Sequence, residues 1–529
     1  ETNRRSRMIA PLSRFGAARG RTMSGARGGA HTRTIAQAAA EFYPPAMSTK
    51  RKTLIALAVL LIALLALGAW LWRGNVATLS VDEVSGVKPK LKEDPDSEWI
   101  PTVGVAKPIG WGKDAAPQPA EGLQVSRFAE GLDHPRTMLT LPNGDVLVAE
   151  TAAPPSAAQS GFTGWVAGLL MGRAGATVKS PDTIVLLRDA DGDGKAEGRF
   201  PLRTDLSSPS GMAWHDGHLY VANHDALLAF DYKLGDTALT GKPTKLMPLA
   251  PGGNHWMRNI LITPDGKTIF VAVGSSSNIG ENGMDAERGR AMIWEYDVAT
   301  GRQRPYATGL RNPNGLAWSP WTGELWTTVN ERDMLGSDLV PDYLTNVPIG
   351  AQYGWPWVYW RRTFDHRVTA PPPDFLTEYA RKPEYALGPH VAALGLAFSA
   401  EGNRMGERFA NGAFIARHGS WNRNPPSGYD VVFVKFDARG NPQGKPVPVL
   451  SGFLAGKGKT HGRPTWVAWD KTGALLVSDD TAGIVWRVLD PAAKPEAKIV
   501  VEKVKSLPPQ RELRGDPIAA FKDDYIEQN

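Results

Sequence analysis

Residues 134–150 read HPRTMLTLPNGDVLVAE: a proline-containing turn, a short apolar strand, an Asn-Gly turn and a second apolar strand. Two such strands joined by N-G, D-G or T-G make a β-hairpin, because these dipeptides accept the positive φ of a tight turn. The pattern returns as SPSGMAWHDGHLYVANH from Ser208, HWMRNILITPDGKTIFVAVG from His255 and NPNGLAWSPWTGELWTTVNE from Asn312. It comes back loosely as HVAALGLAFSAEGNRMGERFANGAFIARHG from His390 and plainly as GRPTWVAWDKTGALLVSDD from Gly462. The intervals leave room for two further strands per copy, the size of one propeller blade. Six copies predict an all-β fold, a six-bladed β-propeller over residues 122–490. Long helical periodicity is missing there, which disfavours an α/β fold. A pair of β-sandwiches is the alternative, but it predicts no six similar units.

Outward from the repeats, the front of the chain is of a different kind. Thr53–Trp72 is TLIALAVLLIALLALGAWLW, without a charge and long enough as a helix to cross a bilayer. Lys50, Arg51 and Lys52 precede it, which keeps the N-terminus in the cytoplasm and sends the rest across the membrane. A cleaved signal peptide is the competing reading. The run is long for that, and LGAWLWRG lacks a small-x-small cleavage site, so an uncleaved single-pass anchor in the inner membrane is expected. Residues 1–52 are basic and, up to residue 46, rich in Arg, Ala and Gly, which predicts disorder. Met47 begins M-S-T-K-R-K, a better start for the anchor than Glu1, and translation is expected to begin there. Residues 73–121 read as a linker and 491–529 as a tail.

Charge sorts the partners. Residues 1–52 carry a net +9, so the other 477 carry −3, and the folded part offers no general attraction to nucleic acid. The chain has no cysteine, which excludes disulfides, Cys-ligated zinc, iron–sulfur clusters and a covalently attached c-type haem.

In a propeller the loops at one face converge on the central channel, so equivalent positions of each repeat point at one site. Those positions hold Arg136; His255 and Arg258; Arg311 and Asn312; Asn330, Glu331, Arg332 and Asp333; Arg417, His418 and Arg423; His461 and Arg463. So many arginines at one mouth call for an anionic ligand, because like charges repel. Singly, each is as well explained as a salt bridge between blades.

The segments GGNHWMRNILITPDG (252–266), GLRNPNGLAW (309–318), NERDMLGSDLVPDY (330–343), QYGWPW (352–357), RHGSWNRNPPSGYDV (417–431) and HGRPTWVAWDKTGALLVSDD (461–480) carry a likeness. The chain resembles the pyrroloquinoline quinone (PQQ)-dependent sugar dehydrogenases of the soluble glucose dehydrogenase type, and more closely their L-sorbosone dehydrogenase branch. The resemblance implies PQQ and Ca2+ at the channel. It implies His255 as general base and Arg258, Arg311, Asn312, Arg417, Arg423, His461 and Arg463 as cofactor contacts. Backbone carbonyls or a carboxylate of Glu331, Arg332 and Asp333 become the metal ligands, with Asp338 as a further carboxylate, and Arg136 and His418 face the substrate. The family's Gly-Pro loop is replaced here by Glu331-Arg332. An aldose, a sorbosone-like sugar aldehyde or a related polyol would be oxidised. Electrons would leave to membrane quinone or a separate cytochrome. A metal-dependent lactonase and a non-catalytic propeller that binds a protein or glycan are the rival functions.

Two further signals stand apart. Asp189-Ala190-Asp191-Gly192-Asp193-Gly194 matches half an EF-hand loop, but Phe200 stands at position 12, so a hairpin turn is expected. Of Trp318, Trp321, Trp326, Trp355, Trp357, Trp360 and Trp421, most are expected in the core.

Overall fold

The computed structural model describes residues 47–98, 101–154, 172, 178–456 and 458–494. The disorder expected for residues 1–46 and the tail from 495 onward lie outside these. Two compact units divide the chain at Ala69–Trp70. In the first, helix α1 (Thr49–Arg73) begins a turn earlier than the apolar run and carries a 20-residue stretch, Thr49–Gly68, of membrane-spanning length and mean hydropathy 2.1. Its leucines and isoleucines from Leu54 to Leu67 are exposed. A signal sequence has the same character.

In the second unit, each repeat's hairpin is the inner half of an antiparallel sheet. Among the described residues there are six sheets of four or five strands, beginning at Pro135–Thr140, Gly211–His215, Ile260–Ile262, Asn312–Trp318, Ala393–Phe398 and Pro464–Trp469. Each first strand touches the next, and the sixth touches the first. The sixth sheet takes its outer strand from the front of the region: Gln124–Glu130 pairs with Ile484–Leu489.

The strands read as apolar because they are covered on both faces. Every neighbouring pair of sheets shares a buried cluster, such as Phe414, Ala416, Val431, Phe433, Val477 and Trp486 between the fifth and sixth. Phe128, Met138, Val148, Val185, Leu476 and Val485 join the sixth to the first. Trp326, Trp355 and Trp360 are buried as expected, whereas Trp421 is 40% exposed.

Residues 73–121 do not behave as the free linker that their Pro and Gly content suggests. Ser85–Gly86 extends the fourth sheet beside Ala386 and Leu387, and Gln118–Pro119 extends the fifth beside Leu450 and Ser451. Sheet edges offer unpaired backbone groups, and this strap satisfies some of them. Asp338 is used in the same way: its carboxylate accepts the N–H groups of Thr78 and Leu79, so it is not free for a cation.

Candidate active site

Pairing places the site. Pro135 sits opposite Glu150, Asn312 opposite Asn330, Ala393 opposite Arg417 and Pro464 opposite Asp479. A residue just before a first strand and one just after a second strand therefore share one end of their sheet. The candidate residues gather at this face in two clusters.

The first surrounds His255. No carboxylate among the described residues hydrogen-bonds its half-buried ring; instead Nδ1 lies 2.9 Å from both the carbonyl and the Oγ of Ser275. A carbonyl only accepts, so Nδ1 carries the proton and Nε2 keeps its lone pair. Nε2 has no hydrogen-bond partner among the described residues. Burial, then the Arg311 and Arg258 charges, lower the His255 pKa to about 3 against the pull of Ser275 and Asp333. The imidazole is neutral throughout the ordinary pH range. A side chain at Gly274 would strike Asn312 Oδ1 at 2.4 Å and His255 Cβ at 2.6 Å, so glycine there lets both residues pack against this strand end.

Arg311 is turned onto the protein. Nε donates to the Asn278 carbonyl (3.1 Å), Nη1 to the carbonyls of Glu331 (2.6 Å) and Asn330 (3.4 Å), and Nη2 to Asn278 Oδ1 (2.9 Å) and Asp333 Oδ2 (3.0 Å). All five of its N–H groups are committed, so it brings charge rather than a free fork. Asp333 Oδ1 faces His390 Nδ1 at 3.2 Å, and His390 Nε2 faces the Gly336 carbonyl at 3.0 Å. Two acceptors suit an imidazolium. Against the effect of burial, Asp333 raises the His390 pKa, while Arg311 and His390 hold Asp333 below its usual range.

The second cluster is Arg136, His418, Arg463 and Asp480. Asp480 Oδ2 pairs with Arg136 Nη1 at 2.6 Å and with His418 Nε2 at 2.8 Å. Burial works against the charge, yet His418 and Arg136 hold Asp480 below the ordinary carboxylate range. Burial and the Arg463 charge lower His418 to about 4. Arg463 donates from Nε to the His418 carbonyl (3.1 Å) and from Nη2 to the Gly419 carbonyl (2.9 Å), and lies 5.4 Å over the Tyr429 ring. Its Nη1 has no partner among the described residues. Arg136 Nε, Asp480 Oδ1 and Thr481 Oγ1 are buried without partners. The clusters meet where Arg136 lies 5.5 Å over Trp256 and donates to Met257 Sδ at 3.2 Å, both on the His255 loop.

The other candidates do structural work. Arg258 is fully buried and ties the carbonyls of Ala250, His255 and Met257, fixing the His255 loop. Arg417 forms a fork on Asp430 and caps the Leu387 carbonyl. Arg423 ties the carbonyls of Leu79, Ser337 and Pro425. His461 stacks on Trp111 at 4.8 Å, with Nδ1 2.9 Å from the Gly110 carbonyl.

Glu331, Arg332 and Asp333 do not fit a bound cation. The Glu331 carbonyl takes Arg311, the Asp333 carbonyl takes Asn278 and Arg367, and the Arg332 side chain is buried on the Glu331 carboxylate and the carbonyls of Pro356 and Val358. The carboxylates of the loop are likewise taken: Asp333 by Arg311 and His390, and Glu331 by Arg332. Among the described residues one group of carboxylates is close enough to share a cation: Asp189, Asp191, Asp193 and Glu197, with ligand oxygens within 4.8 Å of one another. It is the expected turn, its carboxylates taking the N–H groups of Gly192, Gly194, Asp193, Lys195 and Ala190.

Sequence reading passed over His390, Asp480 and Asn278. The first two lie inside quoted repeats at the mouth-facing positions, a signal available from repeat alignment alone. Asn278 follows the second strand of its sheet by several residues and had none.

A family model described as TrAA12-like matches residues 193–347 and 375–491, together half of the chain. A protein of Borreliella burgdorferi is 26% identical over 303 residues, covering 55% of this chain and 77% of that protein. A pyrroloquinoline quinone-dependent pyranose dehydrogenase of Coprinopsis cinerea is 25% identical over 451 residues. The aligned part is 72% of this chain but 57% of that protein, so the chain spans little more than half of this relative. The solved calcium structure of the family AA12 carbohydrate-active enzyme of Trichoderma reesei superposes with a TM-score of 0.58 at 19% identity, covering 71% of this chain and 97% of that one. That likeness is one of fold.

Proposed function

The chain belongs to the TrAA12-like family, and on that premise we propose that it is a PQQ-dependent sugar dehydrogenase built on a six-bladed propeller. The observation that carries the reading is His255: a neutral imidazole, fixed by Ser275 through Nδ1, with Nε2 unpaired beside a mouth of surplus positive charge. The name of the Coprinopsis relative supports PQQ, and the calcium structure of the Trichoderma enzyme supports Ca2+. A planar tricarboxylate fits the donor set, because Arg463 Nη1 has no partner among the described residues and Arg136 Nε is also left without one. Arg463, Arg136 and Asn312 would hold it; when bound, PQQ supplies the two-electron acceptor. His255 takes the proton of the sugar hydroxyl at Nε2 as the carbinol carbon is oxidised. Asp480 orients His418 and Arg136 toward the same space.

The test is dye reduction by apoprotein across aldoses, sorbosone-like aldehydes and polyols, with and without PQQ and Ca2+. Turnover that needs PQQ and an added acceptor is expected. Hydrolysis of a lactone without an acceptor, or no turnover with any sugar, would replace this reading with one of its rivals.

The anchor belongs to the same reading. Helix α1 crosses the inner membrane after Lys50-Arg51-Lys52 and delivers the propeller to the periplasm, where membrane quinone or a separate cytochrome accepts the electrons. Alkaline phosphatase fused after Asn529 should be active and sediment with membranes. An inactive fusion whose cytoplasmic counterpart is active would overturn the topology.

A further inference from the structure

Between the paired strands Pro341–Asn346 and Tyr385–Pro389 the chain makes a long excursion. The match to the TrAA12-like model stops at residue 347 and resumes at 375, so most of this excursion lies between the two matched segments. It first climbs the free edge of the third sheet. The N–H groups of Gly350, Tyr353 and Trp355 donate to the carbonyls of Tyr306 (2.8 Å), Thr308 (3.0 Å) and Gly309 (3.1 Å). This path carries it to the face where the site lies.

There it enters the site's own loops. The Trp355 indole donates to the Asn278 carbonyl at 3.0 Å, the oxygen that also takes Arg311 Nε. Arg367 Nη1 donates to the carbonyls of both Asp333 and Met334, each at 3.0 Å. The other edge of its guanidinium forks onto Asp365 at 2.9 and 2.7 Å. Asp365 is fully buried, and its Oδ2 lies 3.5 Å from Arg332 Nη1. Asp333 therefore has its backbone held by the excursion, while its carboxylate holds Arg311 and His390.

We propose that Asp365 and Arg367 are positioning residues of the cofactor site: Arg367, aimed by Asp365, clamps the Asp333–Met334 turn and so keeps the Arg311 charge beside His255. The inference rests on the functional reading above and adds that the affinity for PQQ is set partly from the stretch between the two segments that match the family model. The physical reason is the strength of a charged donor on a neutral carbonyl, and the dependence of a binding group on what orients it. Without Arg367, Asp333 keeps its ion pairs but not its place, and Arg311 moves with it.

Arg367 is partly exposed and Arg332 keeps Glu331 without it, so Arg367→Ala should fold. Its PQQ affinity should be about 10-fold weaker than the parent's and no weaker than in Arg311→Ala, because the Arg311 charge is displaced rather than removed. Arg367→Lys should recover part of the loss, since the ammonium still reaches one carbonyl. Independently of any cofactor, hydrogen exchange in peptides spanning 331–336 of the apoprotein should speed up in Arg367→Ala and in Asp365→Asn. Parent-like affinity in Arg367→Ala, or unchanged exchange over 331–336, overturns the clamp. A parent that fails to bind PQQ refutes the function instead, and the exchange measurement then decides the clamp alone.

Discussion

Replacing His255 by alanine or glutamine is expected to slow sugar-dependent reduction of bound PQQ by about 10²–10⁴-fold in a single turnover, with PQQ still bound. The size follows from the role: a positioned base contributes that factor, and none of the arginines nearby can take a proton. Binding survives because His255 spends its Nδ1–H on Ser275 and offers only a lone pair to the channel. Its pKa also fixes the pH dependence. The base form exists above the pKa, and burial with the Arg311 and Arg258 charges has lowered that value to about 3. The free enzyme's kcat/KM should therefore show no His255 limb between pH 5 and 8, where an unperturbed histidine would lose its lone pair on the acid side. Ser275→Ala removes the hydroxyl but leaves the carbonyl, and should cost far less than His255→Ala. A His255→Ala protein that reduces its PQQ within about threefold of the parent rate removes the assignment and turns attention to His418.

Fold and site were legible in the sequence to different depths, for a physical reason. A covered sheet needs apolar residues in every strand and a permissive dipeptide at every turn, and both are written locally. That is why the hairpins from His134 to Gly462 could be read off in order. The excursion after Asn346 repeats nothing, so although QYGWPW stood out in it, the path it takes to the mouth could not be read. Repeat equivalence also located the site's face, since residues flanking the inner strands must share one end of the sheets. What each arginine does there was not legible. Arg311, Arg417 and Arg423 meet acceptors on distant segments: the Leu79 carbonyl for Arg423, Asp333 for Arg311, Leu387 for Arg417. An arginine that ties carbonyls and one that faces a ligand have the same sequence. Likewise the residues after Arg73 look like a tether by composition, and only the exposed edges of the fourth and fifth sheets turn them into a strap.

That distinction decides which arginine matters most for the cofactor. Arg463→Ala is expected to weaken PQQ roughly 10- to 150-fold, the loss of one charge-assisted carboxylate contact in a partly buried site. Its Nε and Nη2 are held by the carbonyls of His418 and Gly419, and the guanidinium is backed by the Tyr429 ring. The group is thus oriented before any ligand arrives, and Nη1 remains to bind. Arg311 differs in kind: all its N–H groups already have acceptors, so Arg311→Ala removes a favourable field and no direct contact. Its effect on PQQ should be the smaller one, and it should be reduced by salt, whereas the contact made by Arg463 is short-ranged and less so. Arg463→Lys should bind between parent and alanine variant, because an ammonium keeps the charge but cannot hold two carbonyls and a carboxylate in one plane. The measurement is equilibrium titration of each apoprotein with PQQ at two ionic strengths. Equal affinity in Arg463→Ala and the parent, or a larger loss in Arg311→Ala than in Arg463→Ala, would place the cofactor's carboxylates on the His255 side of the mouth rather than beside Asp480.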